Sequence, residues 1–359
     1  MFGLSLKKKP LIGIDISSTS IKLIELSQQP GGASPHFRVE HSAIEPLPAG
    51  AVVEKKIADV ELVGKAVRKA VVGSGTRTKG AAVALAGSAV ITKVISMSEA
   101  LGDTEIENQI QLDADQYIPY PLEEVNIDFQ VLGPTKGSPA MVDVLLVASR
   151  QENVDDRVSV LEQADLTPVV VDVEAYAMEN ACTLVLGAES EVQPEPTQTV
   201  AVADIGASTM TLHVLHQGRI VYTREQNFGG QQLMDEVQRR YGLSNDVAAR
   251  KILDGEVAEG YQNDVLGPFK EALAQQIGRA LQFFYSGTSF NRVSRILLAG
   301  RPASIPEIDL LVAERLRLPT RVANPFHQMS LSRAIKAQDL KREAPGMMIA
   351  VGLALRGFD

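Results

Sequence analysis

Two aspartates stand at the ends of two short apolar runs that resemble each other. In the first run Ile12, Ile14 and Ile16 alternate with Gly13 and Asp15. Ser17, Ser18, Thr19 and Ser20 interrupt it, and residues 21–26 resume an apolar stretch. That pattern predicts a strand, a tight turn and a second strand. A turn of this kind gathers backbone N–H groups and hydroxyls into a local anion cradle. Asp15, where the first strand ends, is placed to hold a hydrated divalent cation such as Mg²⁺, which keeps several waters and bridges phosphates. Lys22 can point back from the second strand as a point charge for phosphate.

Residues 202–212 repeat the pattern without a gap. Asp204 falls under Asp15, Thr211 under Lys22, and Gly206, Ala207 and Ser208 occupy the turn. The offset is 204 − 15 = 189 residues, just over half of the 359-residue chain, so it is not a solenoid period. It implies two similar lobes, each presenting one Asp-ended hairpin to a shared cleft and gripping one polyphosphate–metal unit between them. Either copy alone would read as an ordinary hydroxyl-rich hairpin.

Gly229 and Gly230 open a helical stretch, where free N–H groups and the positive helix end favour a phosphate; a plain strand-to-helix turn explains them equally well. Two other patterns are set aside. The Gly-Ser-Gly at 73–75 lacks both the third glycine of a dinucleotide fingerprint and the Gly-Lys-Ser/Thr of a P-loop. His213 and His216 are three apart on an expected strand, which puts them on opposite faces and argues against a metal pair.

The bulk properties narrow the class. Hydrophobic residues make up 45% of the chain, enough for sizeable cores, and the length suits two lobes. A formal net charge of −9 argues against nucleic acid or anionic lipid as a direct partner. A lone Cys182 allows no internal disulfide and fits a reducing compartment. Lys7, Lys8 and Lys9 precede an apolar run, but Asp15 breaks that run early and no cleavage site follows, so a signal peptide is rejected. The apolar stretches at 80–92 and 347–355 are too short to span a bilayer, so membrane association is expected only through a partner.

The elements that must position these residues follow from periodicity. Strands are expected at 36–44, 81–86, 90–97, 125–132, 142–148, 168–173 and 295–299. Helices are expected at 60–72, 104–117, 151–164, 174–182, 231–241, 245–253, 265–284, 305–316 and 345–356. Residues 88–140 read as a small α/β insertion. Residues 187–199, rich in Glu, Pro, Gln and Ser, read as a linker. The expected division is first-lobe core at 1–87 and 141–198, insertion at 88–140, second-lobe core at 199–228 and 291–359, and a helical subdomain at 229–290.

Both hairpins resemble the phosphate hairpins of the actin-like ATPase superfamily. Gly13-Ile14-Asp15-Ile16-Ser17-Ser18-Thr19-Ser20, Gln116-Tyr117-Ile118-Pro119-Tyr120-Pro121 and the ending Gly352-Leu353-Ala354-Leu355-Arg356 are more closely similar to the PilM family of type IV pilus assembly proteins. The resemblance runs nearly end to end. It implies a two-lobed actin-like α/β fold, FtsA-like in carrying a small insertion in the first lobe, and ATP with Mg²⁺ in the cleft. It implies a cytoplasmic scaffold held at the inner membrane by the N-terminal cytoplasmic segment of PilN, docked on the first lobe and its insertion. Other pilus components, motor ATPases and a homo-oligomer are further partners it allows.

The resemblance also implies roles. Lys251 occupies the place of a ribose-and-base lysine, although Ala248 stands where a glutamate is usual. Gly300 occupies the adenine-contact turn, where Arg301 departs from the usual Gly-Gly and either stacks on the base or crowds it. Asp172 and Glu174 precede a helix that crosses between lobes, where one of them orients an attacking water or simply caps the helix. Turnover is expected to be slow at most. Tyr117 and Tyr120 are core residues or the rim of a peptide groove. The rival readings are a small-molecule kinase of the same superfamily and an FtsA-like polymerising protein. The second is weakened because Asp359 ends the chain almost directly after the last core helix.

Overall fold

The computed structural model describes residues 10–29, 36–188, 198–254 and 258–359. Most of the expected linker at 187–199 lies outside the described residues, as does the lysine run at 7–9. What is described is an actin-like fold: two twisted sheets, each faced by its own helices, with two further helices between them.

The first sheet has six strands in the order Thr167–Val173, Gly80–Leu85, Ile12–Ile16, Ser20–Gln29, His36–Pro46 and Ser330–Leu331. The second has five, in the order Arg219–Gln226, Met210–His216, Thr199–Ile205, Arg295–Ala299 and Thr320–Val322. In each sheet an antiparallel three-strand meander runs into parallel strands. The central strands are covered on both faces, which is why they read as near-continuous apolar runs rather than alternating ones. Helices Val60–Ser74 and Gln151–Gln163 cover the outer face of the first sheet through Val63, Val67, Val160 and Leu161. Asp59 caps the first of these by accepting from the N–H of Leu62 at 2.9 Å. Helices Gly267–Gly287 and Ile308–Leu316 do the same for the second sheet through Leu273, Ile277, Phe284 and Val312.

Between the sheets lie helices Glu174–Ala188 and Met348–Leu355. Their side chains join residues of both sheets in one core, including Ile24, Val39, Val202, Leu297, Met178 and Val351. The two helices touch without side chains between them: a Cβ on Gly352 would fall 1.7 Å from the carbonyl oxygen of Ala177. Gly13 gives the same clearance on the other side, where a Cβ would lie 2.1 Å from the Ala350 carbonyl.

Two expected boundaries change. The insertion ends at Arg150, not at residue 140. Ser138–Arg150 is the central strand of a three-stranded sheet, between Val90–Ser98 and Val125–Thr135. Its apolar run matches a core strand because Val142, Val144 and Leu146 pack on Ile106 and Ile110 of helix Asp103–Asp113. The C-terminal stretch is also not confined to the second lobe. Ser330–Leu331 pairs in parallel with His36–Pro46 at the edge of the first sheet, and helix Met348–Leu355 lies on the first strand.

Candidate functional site

Both hairpins expected from the sequence form. Asp15 pairs with Lys22, and Asp204 pairs with Thr211. The turns are alike: the N–H of Ser17 donates to the Ser20 carbonyl at 3.0 Å, and that of Gly206 to the Thr209 carbonyl at 2.9 Å. Each turn leaves two middle N–H groups, of Ser18 and Thr19 and of Ala207 and Ser208, in no hydrogen bond to the described residues. Those four donors are the anion-binding capacity of the site.

The charges differ between the two copies. Lys22 Nζ donates to Asp15 Oδ2 at 2.8 Å in a nearly buried pair. Burial works against the Lys22 ammonium, but Asp15, with Asp204 and Glu174 beyond it, outweighs that and raises its pKa. The Asp204 carboxylate accepts no hydrogen bond from the described residues. Burial pushes its carboxyl up to about 6, with Lys22 and Lys55 pulling the other way and Asp15 and Glu174 adding to the rise. Asp15, Lys22, Glu174 and Asp204 therefore share one electrostatic site between the lobes. Among the described residues no three His, Cys, Asp or Glu side chains gather as metal ligands. A partly desolvated, unpaired carboxylate beside four unspent N–H donors fits a metal–polyphosphate group.

The helix opened by Gly229 and Gly230 plays a different part from the one expected. The N–H of Gly230 donates to the Gly206 carbonyl at 3.0 Å, and that of Gln231 to the Ala207 carbonyl at 2.8 Å. The helix N-terminus thus holds the second hairpin instead of facing a phosphate. Gly229 is required by that contact, since a Cβ there would lie 2.3 Å from the Ala207 carbonyl. Gly300 has the same kind of role. Its φ of 83° and a Cβ position 2.0 Å from the Ile205 carbonyl leave room for no side chain. Arg301 extends outward beside Glu343, 3.7 Å away, and does not close the turn. Lys251 is half-buried on helix Asn245–Asp254.

Asp172 and Glu174 separate cleanly. Both oxygens of buried Asp172 accept from Arg356, at 2.7 and 3.1 Å, and Oδ1 also accepts from the Val173 N–H at 2.8 Å. Asp172 therefore ties the C-terminal segment to the strand that leads into the crossing helix. Glu174 opens that helix and accepts from Lys55 Nζ at 3.0 Å. Tyr117 and Tyr120 are half-buried against Ala114, Ile118 and Ala148, with Lys93 4.7 Å and Arg150 4.3 Å from their ring centres. His213 and His216 bond to Thr223 and Thr199 and form no pair.

Sequence reasoning missed Lys55, Arg157 and Glu225. Lys55 Nζ lies 3.0 Å from Glu174 and 2.8 Å from Glu225, which is on the second sheet. Arg157 donates to the Lys55 carbonyl at 3.2 Å and to that of Ala84 at 3.1 Å.

With this geometry in place, the sequence model of the family described as "Type IV pilus assembly protein PilM" matches residues 13–358. The chain belongs to that family. A solved PilM–PilN type IV pilus biogenesis complex contains a chain 26% identical to this PilM-family protein, with a TM-score of 0.77 over 98% of this chain and 99% of that one. Ethanolamine utilization protein EutJ from Carboxydothermus hydrogenoformans shares the fold at 15% identity, a TM-score of 0.58, and 96% and 89% coverage. A diol dehydratase-reactivating factor, solved nucleotide-free, does so at 11% identity, a TM-score of 0.55, and 98% and 100% coverage. No helix among the described residues is long and apolar enough to cross a membrane.

Proposed function

We propose that this PilM-family chain is a nucleotide-responsive scaffold of type IV pilus assembly, which binds Mg–ATP between its lobes and the N-terminal cytoplasmic segment of PilN on its first lobe and insertion. The observation that carries the partner is the near-complete match to the PilM chain of a PilM–PilN complex. What supports the nucleotide is the paired hairpins with Asp15, Asp204 and four unspent N–H donors. In this reading Ser17, Ser18, Thr19, Ser20, Gly206, Ala207 and Ser208 line the phosphates. Asp15 and Asp204 hold a hydrated Mg²⁺, and Lys22 adds positive charge. Bound Mg–ATP would supply an anion–metal unit that both lobes grip. Glu174 is the carboxylate placed to orient a water, and Gly300 and Lys251 sit at the adenosine end.

A ligand that binds one lobe arrangement better than another shifts the population toward it. A partner on the first lobe can read that shift, since the crossing helices join the lobes. Binding PilN would hold the chain at the cytoplasmic face of the inner membrane. The test is fluorescence anisotropy of a labelled PilN N-terminal peptide, with and without Mg–ATP, on wild type and Asp204→Ala. Peptide binding that responds to Mg–ATP, with the response lost in the variant, is the expected result. Loss of a metal-holding group costs about 10–100-fold in affinity. Absence of peptide binding under every condition would remove the scaffold assignment.

A further inference from the structure

Lys55 sits at the tip of a two-strand ribbon, Val52–Val53 with Lys56–Ile57. Glu54 and Lys55 form its two-residue turn with φ of 49° and 64°. That is the geometry of a mirror-image hairpin turn, normally given to Asn-Gly, and it is strained for side chains with a Cβ. Arg157 holds it in place. Among the described residues this buried guanidinium is in no ion pair; it donates to the Lys55 and Ala84 carbonyls, tying the ribbon tip to the floor of the first lobe.

The lysine so presented joins two bodies. Glu174 begins the crossing helix, and Glu225 belongs to the second sheet. Glu225 pairs with Thr211, which in turn pairs with Asp204. Residues directly opposite in antiparallel strands share a face, so Glu225, Thr211 and Asp204 form one row, and Lys55 reaches that row from the opposite lobe. Lys22 is committed to Asp15 within its own hairpin. Lys55 has partners on two elements, the crossing helix and the second sheet, which can part when the lobes move. Its pair with Glu225 is partly exposed on both sides, about a quarter for the lysine and a third for the glutamate, so it is weak enough to exchange. The adenosine end was assigned to Gly300 and Lys251 on the second lobe. A cation rising from the first lobe beside Glu174 meets the other end of the phosphate chain.

We propose that Lys55 reads the terminal phosphate: without nucleotide it bridges the lobes through Glu174 and Glu225, and a bound nucleoside triphosphate takes its ammonium from Glu225. This rests on the nucleotide reading above. It makes Lys55 a discriminating ligand, one that lets the cleft tell a triphosphate from a diphosphate, and couples that distinction to the contact between lobes.

The test titrates fluorescent Mg–ADP and a non-hydrolysable Mg–ATP analogue into wild type, Lys55→Ala and Glu225→Gln, with small-angle scattering of the same samples. A charge-assisted contact to phosphate corresponds to about 10–100-fold in affinity. Lys55→Ala is expected to lose about that much for the triphosphate and to change the diphosphate by less than about twofold, on the same scale. Glu225→Gln, which removes the competing carboxylate, is expected to tighten the triphosphate alone. The scattering difference between the two nucleotides is expected to vanish in Lys55→Ala. Equal weakening of both nucleotides, or no change in either, would overturn the proposal while leaving nucleotide binding intact. If wild type binds neither nucleotide, the underlying reading fails and the proposal with it. Should Lys55→Ala not fold, Glu225→Gln decides, and unchanged or weakened triphosphate binding in it counts against the proposal.

Discussion

The two hairpins share a backbone and differ in everything that surrounds it. The first is self-sufficient. Ser17 braces its own turn, its hydroxyl donating to the Ser20 carbonyl at 2.8 Å and accepting from the Ser20 N–H at 3.1 Å. Its carboxylate is neutralised by Lys22 from the next strand. The second is held from outside, by the N-terminus of helix Gly230–Tyr241, and its carboxylate has no hydrogen-bond partner among the described residues. The difference teaches that a structural repeat conserves the cradle while the electrostatics can divide between copies. One hairpin is a finished ion pair, and the other is an acid waiting for a cation.

The contrast can be broken hardest at the support of the second hairpin. Gly229→Ala sets a methyl 2.3 Å from the Ala207 carbonyl. We expect about 3 kcal/mol of destabilisation, from overpacking against backbone that cannot swing aside, read by urea unfolding. Loss of nucleotide binding should accompany it.

Breaking the ion pair of the first hairpin comes next. Asp15→Asn leaves a nearly buried Lys22 without its counter-ion and should cost about 2–3 kcal/mol in the same assay. The double variant Asp15→Asn with Lys22→Met should recover most of that loss. If the single variant is as stable as wild type, Lys22 does not depend on Asp15 for its neutralisation.

Acidity sharpens the comparison at Asp204. Its folded carboxyl titrates near 6, above the ordinary aspartate value of 3.8, so the ionised form is disfavoured in the folded protein. The cost is present above pH 6 and disappears as pH falls toward 4. In metal-free and nucleotide-free protein, Asp204→Asn should therefore be more stable than wild type at pH 8, by about 1–2 kcal/mol, and equal to it near pH 4. The difference between the two proteins is the readout, because His213 titrates near 3, depressed by burial and by Lys55. Below pH 6.5 the unfolded chain takes up a proton at this residue that the folded one refuses, so both proteins lose stability together. A variant less stable than wild type at pH 8 would show that Asp204 is already compensated.

The smallest effect is expected at Ser17. Ser17→Ala removes a turn brace worth about 1 kcal/mol, and thermal melting should detect it. The corresponding change in the second hairpin, Gly206→Ala, should cost more, since a Cβ there lies 2.8 Å from the Thr209 carbonyl.

What the sequence made legible was what is local. The hairpins and the two aspartates could be read because alternation, a hydroxyl interruption and an ungapped repeat are all properties of adjacent residues. The helix after Asp172 was legible from the sequence, but its crossing between the lobes came from the family resemblance. The partners of Gly229 and Gly230 were not, because the carbonyls that take up the helix donors come from Gly206 and Ala207, far back along the chain. Residues 142–148 misplaced the insertion boundary because a central strand of any sheet is apolar, whichever sheet it joins. Lys55 gave no signal at all. Its turn is built from Glu54 and Lys55, neither a turn residue by type, and its meaning comes from Glu225, 170 positions away.

The contact of Gly352 with Ala177 has a mechanical consequence. Where two helices meet backbone to backbone there is no compliant layer to compress and no side chain to trim. The joint acts as a bearing without play: the helices can roll on it, but they cannot be levered apart or cushioned. A substitution cannot tune such a bearing; it can only seize it.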